Sequence, residues 1–298
     1  MSILEKSTPD GTPVEATARG VRRRVRSDAD GFSRIVEPAG AALAGLLVLV
    51  FVLVPILFDT NTDRVEFAQR LQAPSGAHLF GTDASGRDIL ARVIEGGRIS
   101  LTTSLIVIVF AVLLGAVIAL ICVLAGGVVD TALMRFTDIG LAFPSLILAL
   151  GIAAAMGPSL QSAVVGVAVT WWPRYARLLR AMLLQTMAKE YVEAAREMGV
   201  RLPALVRRHI LPDIRGPLLV QVSSDVSSVT LTIAGLSFIG VGAQPPMAEW
   251  GAMISAGNRF ITSSWWVSVF PGVALALTGL AFGLLGEWIR RREEARVS

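Results

Sequence analysis

Long uncharged stretches alternate along the chain with short charged ones, and this alternation predicts its main elements. Residues 39–58 form an uncharged run just long enough to cross a hydrocarbon core of ~30 Å at ~1.5 Å per residue. Residues 101–129 form a second, longer run. Buried strands of soluble α/β proteins extend for only about 4–8 residues. The runs therefore predict helices that span a membrane.

The second half of the chain divides into four further predicted spans. Residues 139–173 carry no charge and are too long for one crossing. Gly157-Pro158 divides this stretch, because proline ends a helix and a Gly-Pro pair turns the chain; Pro173 predicts a kink. These spans are residues 139–156, 159 to past 172, 217–241 and 265–289. The prediction is an all-α membrane protein with six transmembrane helices.

Charge decides the orientation of these spans. Only 17% of the 298 residues are charged, and the mean hydropathy is +0.64. The net charge of +4 comes mainly from arginines that cluster beside apolar runs, which fits the excess of basic residues in cytoplasmic loops better than a nucleic-acid surface. Most of the arginines lie in three segments, residues 1–38, 181–216 and 291–298. Both termini are therefore predicted to be cytoplasmic, and no nucleic-acid partner is expected.

The predicted organisation is a six-span domain at residues 39–290 between two tails. Residues 1–38 are polar and lack an early apolar stretch, so they predict a disordered tail without a cleavable signal peptide. The basic run at residues 21–26 is expected to contact anionic lipid headgroups. Between the first two spans, residues 59–99 form an external segment, which the Gly96-Gly97 pair and Arg98 predict to end in a short interfacial helix.

Motifs for catalysis are missing from the sequence. The phosphate cradle Gly-x-x-x-x-Gly-Lys-Ser/Thr does not occur, so nucleotide hydrolysis by that route is not predicted. His78 and His209 lie far apart and on opposite predicted sides of the membrane, and Cys122 lies in an apolar run, so no metal site is expected. The chain is predicted to be no enzyme and to hold no cofactor of its own.

One ionisable residue lies inside a predicted span. Asp225 is surrounded by hydroxyl side chains, and helical spacing places Ser224 and Ser228, and roughly Asp225 and Thr232, toward one side. These four residues predict either the wall of a hydrated translocation path or hydrogen bonds to a neighbouring helix. The sequence does not separate the two interpretations.

The loop between the fourth and fifth spans has a distinct helical pattern. Residues 189–198 favour a helix, and Gly199 suits the position just after its end. Leu202-Pro203 fits the start of a second helix that runs to Ile210 and stops before Pro212. The small side chains of Ala194 and Ala195 would let a partner approach the backbone closely. From the residues alone, a solvated amphipathic hairpin is an equal possibility.

These residues resemble a known family. Glu193-Ala194-Ala195, Gly199 and Leu211-Pro212 are similar to the "EAA" loop of permease subunits in bacterial ATP-binding-cassette (ABC) importers. The external motifs His78–Asp83 and Gly86–Asp88 are similar to those of the C-type dipeptide/oligopeptide permeases. Further matching segments are Phe143-Pro144, 236–242, 244–246, Trp250-Gly251 and 270–272. The resemblance covers about residues 37–290.

The resemblance implies a type I ABC importer permease fold with cytoplasmic coupling helices, in the bacterial cytoplasmic (inner) membrane. Its partners would be a homologous second permease, two ATPase subunits that bind ATP and Mg²⁺, and an extracytoplasmic substrate-binding protein. The implied coupling residues are Glu193, Ala194, Ala195, Gly199, Leu211 and Pro212. The implied docking residues for the binding protein are Gly81, Thr82, Asp83, Gly86, Arg87, Asp88 and Trp250.

The function implied is the permease subunit of an ATP-dependent peptide importer. Two alternatives stay open. Related permeases with the same motifs import nickel or another small solute. A stand-alone secondary transporter is a different class, but such proteins usually contain inverted repeats and broken helices at the midplane.

Overall fold

A computed structural model describes residues 38–57, 62 and 64–297, and within them the fold is almost entirely helical. The predicted tail at residues 1–38 falls outside this part, apart from Pro38. A short 3₁₀ turn lies at Phe67–Gln69. The helices are α1 (38–57), α2 (Ile89–Ala125), α3 (Gly127–Ala142), α4 (Ser145–Met156), α5 (Leu160–Met187), α6 (Glu190–Glu197), α7 (Leu202–Ile239), α8 (Trp250–Asn258) and α9 (Trp266–Val297).

Three of the described helices are long and apolar enough to cross a membrane: α2, α7 and α9. The pair α3 and α4 passes the same test only when taken together, and the two helices are bent by 85°. In α1, the apolar helix Pro38–Phe51 is shorter than these. By length and composition, the described residues therefore contain three spanning helices, or four if the bent pair is one span, and the six-span count stays a prediction.

The predicted third span is wrong as a continuous helix. Residues 139–156 contain the sharp bend between α3 and α4, at Phe143-Pro144. Phe143 has an extended backbone, which the residue before a proline prefers because of the steric clash with the proline ring. The predicted end of α4 agrees with the structure: the helix stops at Met156, and Gly157 follows with φ of +89°.

Two further predictions, both about helix α2, are wrong. The helix begins at Ile89 rather than near residue 101, because Asp88 caps it by accepting a hydrogen bond from the backbone N–H of Ala91 at 3.0 Å. Gly96 and Gly97 lie inside this continuous helix, so no separate interfacial helix ends the external segment. A Cβ atom on Gly97 would clash with the Phe51 ring at 2.3 Å, so the glycine pair serves close packing.

Two wide turns let prolines stand within helices. A π turn at Leu49–Leu53 precedes Pro55, and another at Val206–Ile210 precedes Pro212. Proline lacks an N–H and its ring crowds the carbonyl four residues earlier, so a local widening accommodates it. The helix predicted to stop before Pro212 therefore continues as α7 to Ile239. Helix α9 likewise continues beyond residue 289, into the predicted C-terminal tail as far as Val297.

Helix α5 lies at the centre of the packing. Gly115 of α2 brings its backbone against α5, where an added Cβ would lie 2.7 Å from the Cβ of Tyr175. A Cβ added to Gly166 of α5 would similarly lie 2.6 Å from the Ala149 carbonyl oxygen of α4. Small residues at such crossings allow backbones to approach closely, which is how helices pack without a hydrophobic driving force between them.

Candidate functional site

The connection between α5 and α7 contains the short helix α6, which ends as the sequence predicted. Gly199 follows it with φ of +79°, a region that favours glycine. The N–H of Gly199 donates to the Arg196 carbonyl at 3.0 Å, and the N–H of Val200 donates to the Ala195 carbonyl at 3.1 Å. This pair of bonds is a Schellman motif, which satisfies the last carbonyls of the helix and turns the chain.

Helix α6 presents two different faces. Val192 and Ala195 are buried one turn apart and join the hydrophobic core. Glu193 and Ala194 are exposed, as is Met198 just beyond the helix, whose exposed fraction is 77%. Of the predicted coupling residues, Ala195 therefore anchors the helix, whereas Glu193 and Ala194 lie on its outer surface.

The remaining predicted coupling residues are also exposed. Gly199 is exposed at the turn, and Leu211 and Pro212 are exposed near the start of α7. The ring centroids of Tyr191 and His209 lie 6.1 Å apart, so α6 and the first turns of α7 stand side by side.

A polar clamp fixes the base of this connection. The ammonium of Lys189 donates to Asp213 at 2.9 Å and 2.8 Å, and the Thr186 hydroxyl donates to the same carboxylate at 2.7 Å. Asp213 lies before the apolar part of α7, and the hydrogen bond from Lys189 lowers the pKa of its carboxyl group. The clamp borders a cavity of about 680 Å³, which Glu293 and Glu294 of α9 also line. The sequence pattern did not single out Asp213.

The segment before α2 is folded around its own side chains. The Asp83 carboxylate accepts hydrogen bonds from the backbone N–H groups of Ser85 and Arg87 at 2.7 Å and 3.0 Å. Asp88 both caps α2 and lies 2.9 Å from Nδ1 of His78. Gly86 has φ of +76°, and a Cβ there would lie 1.9 Å from the Glu66 carbonyl oxygen.

Four of the predicted docking residues, Gly81, Thr82, Gly86 and Trp250, are buried inside the chain. Trp250 has no exposed surface; it packs edge-to-face on Phe51 with centroids 5.2 Å apart and donates from Nε1 to the Val93 carbonyl at 2.9 Å. Thr82 is equally buried, and its carbonyl accepts a hydrogen bond from Trp266 at 3.2 Å. Gly81 is buried beside the Trp266 ring. Arg87 remains partly accessible, next to Asp83 and the Pro246 carbonyl.

The four predicted path residues do not share one surface. Ser224 and Ser228 are exposed and Thr232 is half-buried, whereas only 3% of Asp225 is exposed. Asp225 faces α5, where Nη2 of Arg174 lies 3.9 Å from its Oδ1. The predicted grouping of Asp225 with the serines is therefore wrong, because a one-residue step along a helix turns the side chain by about 100°.

Sequence reasoning missed a second buried acid. Glu249 is completely buried and caps α8 by accepting from the backbone N–H of Ala252 at 3.0 Å, while the Ser100 hydroxyl of α2 lies 3.4 Å from Oε1. Its position directly before the Trp250–Asn258 helix is the available signal, since capping residues accept from the first free N–H groups.

These features define an all-helical integral membrane protein with an exposed helical connection on one side and a self-capped segment before α2. The chain belongs to the family described as binding-protein-dependent transport system inner membrane component, whose model matches residues 91–298.

Relatives of known description agree with this family. The chain is 40% identical over 250 residues to the probable D,D-dipeptide transport system permease protein DdpC of Escherichia coli strain K12, covering 84% of each chain. It is 40% identical over 260 residues to the dipeptide transport system permease protein DppC of the same strain, covering 84% of this chain and 87% of the relative.

A solved structure has the same fold at low sequence identity. It is the MetNI methionine ABC transporter in an inward-facing conformation, with a TM-score of 0.55 and 19% identity. The match covers 68% of this chain and 97% of the other.

Proposed function

We propose that this chain is the membrane-spanning permease subunit of an ATP-dependent peptide importer in the bacterial cytoplasmic membrane. Family membership supports transport dependent on a binding protein. The descriptions of the relatives support dipeptides or short peptides as the solute class. The single observation in this chain that carries the proposal is α6, a short helix with a buried face and an exposed Glu193-Ala194 face, held by a clamp at its base.

The proposed topology has six crossings with both termini in the cytoplasm. The crossings would be α1, α2, the bent pair α3–α4, α5, α7 and α9. This assignment puts the Asp83–Asp88 segment outside and α6 inside, because the chain crosses once between the segment and the end of α2 and twice more before α6. The arginine-rich ends of α5 and α7 then lie on the cytoplasmic side, as basic loops prefer.

In the proposed mechanism, α6 seats in a cleft of an ATPase subunit that binds ATP and Mg²⁺. Movement of the ATPase pushes the exposed face of α6, and the buried Val192 and Ala195 transmit the push to the core. Since Thr186 of α5 and Lys189 just after it are both bound to Asp213 of α7, both helices move with α6. A second, homologous permease would complete the path between the two subunits.

The test is co-purification from native membranes after mild detergent extraction. We expect the tagged chain to bring down two ATPase subunits and a second permease. Replacing Glu193 with Arg should remove the ATPases, because it reverses a charge on the exposed face of α6 without touching the core. Glu95, which is paired with Arg98 in α2 on the proposed outer side, gives the charge-reversal control away from α6, Glu95→Arg.

Retention of the ATPases by Glu193→Arg would contradict the assignment of α6. Equal loss in Glu193→Arg and Glu95→Arg would contradict it too, because the effect would then not be specific to α6. Recovery of an active, solute-moving homodimer without any ATPase would overturn the importer proposal itself and favour a secondary transporter. Binding assays on the partner solute-binding protein would then separate peptides from nickel and other small solutes.

A further inference from the structure

A polar cavity lies midway along the two central helices, α5 and α7. It has a volume of about 180 Å³ and is lined by Arg174, Tyr175, Leu178, Gln221 and Asp225. Arg174 stands 14 residues after the start of α5 and Asp225 stands 14 residues before the end of α7, so each is ~21 Å along its helix from that end. The cavity therefore lies ~21 Å from the proposed outer ends of both helices, toward the cytoplasmic side.

Two buried polar atoms at this cavity have no hydrogen-bond partner in the described part of the chain. They are Oδ2 of Asp225 and the hydroxyl of Tyr175, whose residue is completely buried. The two side chains interact electrostatically with each other, but the geometry of neither atom makes a hydrogen bond. A buried polar group without a partner costs free energy, and a buried carboxylate costs more. Both atoms line the same cavity, so one hydrogen-bond donor placed there could satisfy them together.

The nearby arginine is ion-paired with the carboxylate at long distance and makes no hydrogen bond to it. Arg177 and Arg180, the next arginines along α5, each donate hydrogen bonds to an acid of α3, namely Asp138 and Asp130. Arg174 is different: its Nη2 stays 3.9 Å from Asp225, and its guanidinium lies over the Trp171 ring at 5.4 Å from the centroid. Its side chain is 48% exposed.

The hydrogen-bond acceptors that line the cavity fit a primary ammonium group. Asp225 offers a carboxylate oxygen, Tyr175 a hydroxyl oxygen and Gln221 an amide oxygen, and all three can accept. An ammonium has three donors and the charge that a buried carboxylate needs. A guanidinium is planar and already present beside the cavity, so the compact cation is the better fit.

We propose that Asp225, Tyr175 and Gln221 form an ammonium-binding site between α5 and α7, with Arg174 as the displaceable cation that balances Asp225 when the site is empty. This inference rests on the proposed function in one respect: the natural ligand would be the N-terminal ammonium of a peptide in transit. Intramembrane carboxylates commonly mark such paths.

The experiment measures esterification of Asp225 by a carboxyl-reactive diazo compound, which releases N2 and does not couple amines to the carboxyl group. It is done in membranes that contain the complete transporter, with mass spectrometry as the readout. Methylammonium is the probe, and tetramethylammonium, which has the same charge without N–H donors, is the matched control. We expect methylammonium to lower the labelling rate of Asp225 at least threefold and tetramethylammonium to leave it unchanged. Asp138, paired with Arg177 outside the cavity, is the internal control.

Two variants test the proposed roles of Arg174 and Tyr175. Arg174→Gln removes the competing cation, so protection of Asp225 should appear at a severalfold lower methylammonium concentration. Tyr175→Phe removes one acceptor and should raise that concentration severalfold. Equal effects of both ammonium ions, or an Asp225 that is never labelled, would overturn the site. The measurement needs neither transport nor ATP hydrolysis. A negative result would therefore overturn the ammonium site without affecting the co-purification test of the proposed function.

Discussion

Lys189, just before α6, is bound to Asp213 of α7, so the two residues bridge the connection that carries α6. The Lys189 ammonium donates to both carboxylate oxygens of Asp213, although 24 residues separate the two along the chain. Thr186, in the last turn of α5, donates to the same carboxylate. The clamp closes α6 into a loop of fixed span, which limits how far the helix can move without moving α5 and α7.

The first prediction is that Asp213→Asn loosens α6. The substitution removes the charge that Lys189 binds while keeping the size of the side chain. Since the pair is partly exposed, its loss is worth about 0.2–1 kcal/mol, or up to about a fivefold increase in amide hydrogen exchange. Exchange of the amides at residues 192–198, measured by mass spectrometry, should rise in the variant and stay unchanged in Glu294→Gln, which borders the same cavity.

The pH dependence of the same clamp is the second prediction. The folded state lowers the pKa of Asp213 below its ordinary value of 3.8, because the Lys189 hydrogen bond favours the carboxylate. The stabilisation is therefore complete above pH 3.8 and is lost as the pH falls through the lowered folded pKa. Hydrogen exchange of α6, corrected for its intrinsic pH dependence, should show this loss in the wild type. A pH profile that is identical in Asp213→Asn would contradict the role of the clamp.

The third prediction concerns Gly199 at the end of α6. A side chain there meets no atom within 4 Å, so the cost of a substitution is the strain of its positive φ, about 1–2 kcal/mol. Gly199→Val should misdirect α6 and reduce ATP-driven uptake by the complete transporter while ATP hydrolysis continues. Gly199→Asn, which tolerates this backbone region, should retain coupling.

The control for Gly199 is Gly235→Val, at a helical position of α7 that also has no atom within 4 Å. If Gly199→Val and Gly235→Val transport equally well for each ATP consumed, then the turn is not required for coupling.

Local signals account for the parts of the fold that the sequence predicted correctly. Gly157-Pro158 and Gly199 end helices through their own backbone preferences, so a few residues suffice to find those ends. The bend at Phe143-Pro144 was missed because it lies inside an apolar run without a charge or a glycine beside it. The continuity of α2 through Gly96-Gly97 was missed because Phe51 and Trp250, distant in sequence, pack onto those glycines.

In the candidate site, too, local features could be predicted from the sequence, whereas contacts between distant residues could not. Helical spacing and the small side chains of Ala194 and Ala195 describe α6 well, but not which alanine is buried. The direction in which Asp225 points depends on α5, and the sequence alone gives no register between α5 and α7. Trp250 illustrates the limit most clearly: an aromatic residue beside a predicted external loop can serve either docking or the core, and only its neighbours decide.

The fourth prediction tests the close crossing of α7 and α8. A Cβ on Gly251 would lie 2.1 Å from the Ala234 carbonyl oxygen, a backbone atom that cannot rotate away. Gly251→Ala should therefore lower the thermal unfolding midpoint in detergent, at a cost of about 1–3 kcal/mol for overpacking. Gly151→Ala in α4 meets nothing within 4 Å and should be neutral or slightly stabilising, since alanine favours helix. Equal midpoints for the two variants would contradict so close an approach of the α7 and α8 backbones.

The fifth prediction separates a structural role of Trp250 from a docking role. Because the ring is fully buried on Phe51 and its Nε1 donates to Val93, Trp250→Ala should leave a large cavity and cost about 3–5 kcal/mol of stability. Its unfolding midpoint should fall steeply, whereas Leu79→Ala, at a residue of the external segment that is 61% exposed, should leave the midpoint unchanged. The affinity of the folded transporter for its binding protein, measured below both midpoints, should change little in Trp250→Phe. A Trp250→Phe variant with an unchanged midpoint and a tenfold weaker affinity would instead place this ring at the docking surface.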